Sequence, residues 1–382
     1  MNKEIYFDCA STVKTEKEVL DTFLNISNQY YANSSSTHRL GIEADEILSK
    51  AREQIARYLC VKKDEIIFLS SATEANNLAI QGVCNRNSKR GKRIITTAAE
   101  HPSVMEVFKQ KEKEGFEVHY LNYDKYGNID LNQLNSLLTK DVILVSMMKV
   151  NNETGYIFDT DKAYKMVKEK TNAFFHIDAT QAIGKEKIDS SYYDLLSMSG
   201  HKIGGIKGSG LLVKKKDVLL SPILFGGGQE DGYRSSTVST PLCASLATAI
   251  RLAYSTFDKR REKALKINSY LRENLKKIDE VEIISPIDAT PYILSFALKK
   301  HKASIISEDL SNHNIFISTK SACSSKEKGY SYVIKNAGYS QLLAENSIRL
   351  SFSGKEEIEE GEIFIQELKS SLSRILEDRH EQ

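Results

Sequence analysis

Phe174-Phe175-His176-Ile177-Asp178 is an apolar run that ends on a carboxylate and passes into Ala179-Thr180-Gln181. A run this short with no polar face suits a strand covered on both sides. The pattern repeats around it. Residues 66–69, 93–97, 142–147, 195–198 and 211–213 also read as strands, and 74–83, 103–114, 131–138 and 159–169 have helical spacing between them. Apolar strands alternating with helices predict an α/β fold, a mainly parallel central sheet flanked by helices.

From about Leu242 a long helical pattern leads away from this unit. Segments 281–284, 292–297, 315–318 and 348–352 follow as strands, with a helix near 304–311 and a charged helix over 356–377 closing the chain. Strands with helices to one side predict a smaller α+β domain. The expected division is a large domain over 15–257 and a small one built from 1–14 and 258–382.

The chain has 382 residues, 41% hydrophobic and 27% charged, with a net charge of +2. These values fit an ordinary globular protein and give no footprint for direct nucleic-acid or membrane binding. No apolar run is long enough to span a bilayer and the Met1-Asn2-Lys3-Glu4 start opens no secretory signal, so a cytoplasmic location is expected. Five scattered cysteines (Cys9, Cys60, Cys84, Cys243, Cys323) show no metal-ligand spacing, so no metal is expected. All but Cys323 read as small buried residues.

Ligand sites in open α/β sheets gather at the C-terminal ends of the strands. Here His101 follows one strand, Asn151-Asn152-Glu153 another, Asp178 and Gln181 a third, and Ser199-Gly200-His201-Lys202 a fourth. Ser71-Ala72-Thr73-Glu74 leaves a strand and opens a helix in a capping-box arrangement; it is either a plain cap or a phosphate site. Asp178 is either a helix cap or a partner for a protonated ring nitrogen. Lys202, beside the loop Gly204-Gly205-Ile206-Lys207-Gly208-Ser209-Gly210, is either a surface charge or an amine able to form an imine. Cys323 stands in the polar stretch Ser321-Ala322-Cys323-Ser324, between Lys320 and Lys326, a setting for a nucleophile on a loop. Arg349, inside a short apolar strand, needs an anion, either internal or a substrate carboxylate.

Taken in order, further segments complete a pattern: Tyr6-Phe7-Asp8, Asn33-Ser34-Ser35-Ser36-Thr37-His38, Val150-Asn151-Asn152-Glu153-Thr154-Gly155, Gly226-Gly227-Gly228-Gln229-Glu230 and Arg234-Ser235-Ser236-Thr237. With the residues above, the chain resembles the cysteine desulfurases of the class V aminotransferase-like group almost end to end. The resemblance implies a fold-type I pyridoxal phosphate enzyme that works as a homodimer. It makes Lys202, His101 and Cys323 the catalytic residues, with Lys202 carrying the cofactor and Cys323 taking sulfur from L-cysteine as a persulfide. It assigns Asp178 to the ring nitrogen, His101 to stacking on the ring, and Gln181 and Asn151 to the phenolate side. Ala72, Thr73, Ser199, Gly200 and His201 surround the phosphate with Thr237 from a second subunit, and Arg349 and Asn151 hold the substrate carboxylate. The Cys323 setting resembles the branch with a longer cysteine loop, which hands sulfur to acceptors such as an iron–sulfur scaffold or a tRNA-thiolating enzyme. A selenocysteine lyase or another class V enzyme is the alternative. The chain departs from the pattern at Lys320, Ser236, Ile206, Asp231 and Cys9.

Overall fold

The structure, a computed structural model, describes residues 4–319 and 329–380. After a two-residue strand β1 (Ile5–Tyr6), the chain supplies β2 (Ile66–Leu69), β3 (Arg93–Thr97), β4 (Glu117–Leu121), β5 (Val142–Met148), β6 (Phe174–Asp178), β7 (Leu195–Ser199) and β8 (Gly210–Lys214). These last seven form one sheet in the order β2-β8-β7-β6-β5-β3-β4. The pairings are parallel from β7 through β4, and β8 alone runs against its neighbours β2 and β7.

The sheet is covered on both faces, as its apolar strands require. Alternate side chains leave a strand on opposite sides, and the core divides accordingly. Ile67, Leu69, Ile94 and Leu195 join a cluster with Leu78, Val83, Val104 and Phe108 from helices Ala72–Asn87 and Pro102–Lys113. Ile66, Phe68, Ile95 and Leu196 face the other way, onto Leu48, Ile55, Val167, Leu246 and Ile250 from helices Arg39–Leu59, Thr160–Lys170 and Thr240–Ser255.

The expected helix from Leu242 is two helices, Thr240–Ser255 and Phe257–Leu275. The chain turns at Thr256, whose hydroxyl donates back to the Leu252 carbonyl at 2.7 Å. The first helix packs on Lys17–Gln29 and Arg39–Leu59, neither of which the sequence reading had singled out. The second joins a separate core.

That core belongs to a smaller α+β unit. Strands β9 (Val281–Ile283), β10 (Ile293–Leu298), β11 (Ile315–Phe316), β12 (Ser318–Thr319) and β13 (Ser347–Ser351) follow. Four of them form an antiparallel sheet in the order β12-β13-β10-β9, while β11 pairs with β1. The stretch expected as one strand over 315–318 is thus split between two sheets. Leu294, Phe296, Ile348 and Leu350 pack with Ile267 and Leu271 of Phe257–Leu275 and with Phe364 and Leu368 of Ile358–His380. Ile5 and Phe7 lie in this same cluster, so the start of the chain is stitched to the C-terminal unit.

Cys9, Cys84 and Cys243 are buried, as expected. Cys60 is not: it ends helix Arg39–Leu59 in a left-handed conformation (φ 54°) that turns the residue into solvent.

Candidate functional site

A cleft of about 340 Å³ opens at the C-terminal ends of the parallel strands and is roofed by β10, β12 and β13. The segments after β2, β3, β5, β6 and β7 all reach it, through Ser71-Ala72-Thr73, His101, Asn152-Glu153, Asp178 with Gln181, and Ser199 with His201 and Lys202. Arg349 enters from β13 and Ser318 and Thr319 from β12. The convergence expected from strand ends is therefore present.

Asp178 is the last residue of β6 and is buried. Its two oxygens each accept one hydrogen bond, Oδ2 from Asn76 Nδ2 at 2.8 Å and Oδ1 from the Thr180 N–H at 2.9 Å. Asn76 also donates to Ser103 Oγ at 2.9 Å, and Ser103 Oγ lies 2.9 Å from His101 Nδ1. The Ser103 backbone N–H points at the same nitrogen at 3.1 Å. A backbone N–H can only donate, so Nδ1 accepts and a neutral His101 carries its proton on Nε2. Asn76 and Ser103, to which the sequence assigns no role, tie the carboxylate to the imidazole.

Lys202 ends the short turn after β7 and donates to the Ala10 and Ser11 carbonyls, both at 2.7 Å. His201 Nδ1 lies 3.2 Å from Thr12 Oγ1. Burial, helped by Lys202, Lys207 and Lys185, pulls the His201 pKa down to about 4, so the ring is neutral at pH 7. Two glycines let this turn close. A Cβ on Gly200 would lie 2.4 Å from Ser209 Oγ, and one on Gly210 would lie 2.7 Å from the Ser71 carbonyl carbon.

Helix Ala72–Asn87 presents its N-terminus to the cleft, where its unpaired N–H groups favour an anion. The Ser71 hydroxyl caps it by accepting from the Glu74 N–H at 3.2 Å. The second half of the expected capping box is altered. The Glu74 carboxylate takes the Ser70 N–H and hydroxyl at 2.7 and 2.6 Å and pairs with Arg234 Nε at 2.9 Å, tying the helix start to the 226–237 segment. Ser199 Oγ accepts from the Ala72 N–H at 3.0 Å.

Arg349 Nη2 donates to Asp8 Oδ1 at 2.7 Å and to Ser11 Oγ at 2.8 Å, and Nη1 donates to the Asn152 carbonyl at 2.9 Å. Its Nε is buried and has no hydrogen-bond partner among the described residues, and the same holds for Thr180 Oγ1 at the cleft wall. The cleft thus joins a carboxylate floor, a lysine, a helix N-terminus and an arginine with an unused donor. That donor set fits pyridoxal phosphate, whose ring nitrogen, aldehyde and phosphate want a carboxylate, an amine and an anion site.

Other expected residues lie elsewhere. Asn151 is fully buried and does not line the cleft; its Oδ1 accepts from Glu153 N, Thr154 N and the Thr154 hydroxyl, and its Nδ2 donates to the Ala99 carbonyl. Gly200, the buried first residue of the turn, does not line the cleft. Thr237 borders a separate cavity of about 190 Å³ with Ser70, Gly208 and Arg234. Cys323, Lys320 and Lys326 lie outside the described residues.

Comparison with known proteins places this geometry in a family. Residues 5–364 match the family described as "Aminotransferase class-V". A curated relative from Clostridium botulinum, "Cysteine desulfurase IscS", is 36% identical over 387 residues and covers 100% of this chain and 96% of its own. A "NifS/IcsS protein homolog" from Lactobacillus delbrueckii subsp. bulgaricus is 36% identical, covering 94% of this chain and 95% of its own. Among solved structures, a "NIFS-LIKE PROTEIN" superposes with a TM-score of 0.91 at 33% identity over 97% of this chain and all of that one. A NifS-like protein from Rickettsia africae gives 0.87 at 27% identity, again over 97% of this chain and all of that one. With the match running from β1 into the last helix, and the cleft built from the strand ends it spans, the chain belongs to the class-V aminotransferase family.

Proposed function

We propose that the chain is a pyridoxal phosphate-dependent cysteine desulfurase that converts L-cysteine to L-alanine and carries the sulfur away as a persulfide on Cys323. The observation that carries the reading is the pairing of Lys202 with Asp178 across one cleft that also holds Arg349. Pyridoxal phosphate bound there supplies an aldehyde for amines and a ring that, once protonated, accepts the charge left at a substrate carbon.

The roles of the chain's own residues follow. Asp178 would keep the ring nitrogen protonated, and His101 would lie against the ring. Ala72, Thr73, Ser199 and the neutral His201 surround the phosphate at the helix N-terminus. Lys202 would hold the cofactor through its amine and, when that amine is free, would take the substrate's α-proton. Arg349 fixes the substrate carboxylate. The Cys323 thiolate then attacks the substrate sulfur, the carbon–sulfur bond breaks with its electron pair left on the carbon fragment, and protonation of that fragment gives alanine. Chain geometry supports this last role. Ser318 and Thr319 line the cleft, and Cys323 is four residues beyond Thr319, an extended reach of at most about 14 Å.

The reading extends to partners. A homodimer sharing its sites is supported by Thr237, which borders a separate cavity and does not line its own cleft, and by the exposed apolar side chains of Leu20, Leu24, Tyr31 and Phe225. Sulfur acceptors are an iron–sulfur scaffold or a tRNA-thiolating enzyme in the cytoplasm. Among the described residues no helix is long and apolar enough to cross a membrane.

The test is stoichiometric. With L-cysteine and no acceptor, the purified protein is expected to form one alanine per persulfide, with the extra sulfur mapped to Cys323. Cys323→Ser should bind cofactor and cysteine yet form no persulfide; persulfide retained by that variant would overturn the assignment.

A further inference from the structure

Lys185 is fully enclosed, at 2% exposure, yet no carboxylate hydrogen-bonds to its amine among the described residues. It does not line the cleft, and the proposed chemistry leaves it without a task. A buried amine is costly unless something uses it. Its hydrogen bond goes to Gln181 Oε1 at 3.2 Å. The other end of that amide, Nε2, donates to the Ala10 carbonyl at 2.9 Å, the same carbonyl that accepts from Lys202. Gln181 does line the cleft.

These two contacts remove the ambiguity of an amide, whose oxygen and nitrogen are otherwise interchangeable in space. A lysine amine that donates must face the oxygen, and a carbonyl can only face the NH₂ group. The surroundings leave the lysine little else to do. The Tyr292 ring centre is 5.9 Å from its nitrogen, and Arg260, Lys202 and Arg349 are near enough to repel a charge there. Burial and these cations bring its pKa down to about 7. Charged or neutral, the amine still has hydrogens to give to Gln181.

We propose that Lys185 is a positioning residue that locks the Gln181 amide with its NH₂ edge toward Ala10 and the cleft, so that Gln181 offers the cofactor's ring oxygen a donor and never an acceptor. The inference rests on the reading of Gln181 as a contact of that oxygen. A donor there draws density from the oxygen and weakens its hold on the neighbouring proton. Loss of the donor therefore raises the pH at which the bound cofactor's visible band titrates.

The test is a double-mutant cycle on that midpoint, read by absorption in the loaded protein, for the wild type, Gln181→Ala, Lys185→Met and the double variant. Each single substitution is expected to raise the midpoint by about one pH unit, the size of one charge-assisted hydrogen bond. The double variant should rise no further. Lys185→Arg, which keeps a donor and serves if Lys185→Met does not fold, should hold the wild-type value. If Gln181→Ala moves the midpoint while Lys185→Met does not, or if the two shifts add, the Lys185 role is overturned and the Gln181 contact stands. A midpoint untouched by Gln181→Ala overturns the Gln181 contact, and the Lys185 role with it.

Discussion

Asp178→Asn tests both halves of the site at once. In the folded protein two donors, Asn76 Nδ2 and the Thr180 N–H, each point at one oxygen of Asp178. Asparagine has one oxygen, so one donor meets an NH₂ group. Asn76 could turn over and offer its Oδ1 instead. That would carry its Nδ2 into the place where Oδ1 now sits without a partner, so an unpaired donor is buried either way. The cost is about 1–3 kcal/mol. For a chain of this length the unfolding entropy converts that into a drop in Tm of roughly 1–4 °C, measurable by calorimetry on protein stripped of cofactor. Turning Asn76 also gives Ser103 a new acceptor and takes its proton away from His101 Nδ1, so the imidazole loses an anchor. A second measurement isolates the chemistry. Loss of a charged pairing to the ring nitrogen should weaken cofactor binding about ten- to a hundred-fold, read as Kd by fluorescence. An unchanged Tm would refute the network, and an unchanged Kd would refute the ring-nitrogen role.

Lys202→Ala should bind the cofactor without a covalent link; borohydride reduction and peptide mapping of the wild type should mark Lys202, and a label on Lys185 or Lys207 would move the assignment. Arg349→Lys keeps the charge but loses the planar fork, so kcat/KM for cysteine should fall about ten- to a hundred-fold, mostly through KM; an unchanged KM would remove Arg349 from carboxylate binding. Glu100, wholly buried, has its pKa pushed up to about 8 by desolvation, against donation from the Thr97 hydroxyl and the Met148 N–H and with Asp178 adding to the rise. The folded chain therefore keeps a proton that the unfolded chain releases near 4.5, and this contribution to stability is full below about pH 4.5 and lost as the pH rises through 8. Glu100→Gln imitates the protonated form, so its Tm should match the wild type near pH 4 and exceed it by a margin that grows up to about pH 8; a difference independent of pH would refute the argument.

Much of this was legible in the chain. The sheet was readable because β2, β5, β6, β7 and β8 are mostly apolar, and the cleft because polar residues stand at or just beyond the ends of β2, β3, β5, β6 and β7. What escaped has physical reasons. Strand β4 lies at the sheet edge and reads Glu117-Val118-His119-Tyr120-Leu121, too polar to stand out as a buried run. Helix Arg39–Leu59 did carry a signal, its buried Ala44, Leu48, Ala51, Ile55 and Leu59 standing three and four apart behind the cap at His38, but charged residues fill the intervals. Asn76 and Ser103 were hidden because each sits inside a helix whose start had already been given a role. Lys185 was hidden because nothing in a sequence distinguishes a buried lysine from a solvated one.

The segment from Asp8 to Thr12 enters the sequence pattern without a role of its own, yet it touches most of the site. The Ala10 carbonyl accepts from both Lys202 and Gln181, and the Ser11 carbonyl accepts from Lys202 again. Asp8 and the Ser11 hydroxyl hold Arg349, and Thr12 meets His201. The same few residues are bonded into the smaller unit: the Ala10 N–H donates to Ser351 Oγ at 2.8 Å, and the Ser351 N–H donates to the Phe7 carbonyl at 2.8 Å. Half of these contacts run through backbone carbonyls, which every residue has, so residue types alone could not reveal those. Lys202 and Arg349 come from different sheets of the molecule, and one short stretch of chain is hydrogen-bonded to both. Their separation is then a property of the first dozen residues. Beside the Arg349–Asn152 contact, the Asp8–Ser11 stretch is thus a link between β13 and the turn that holds Lys202.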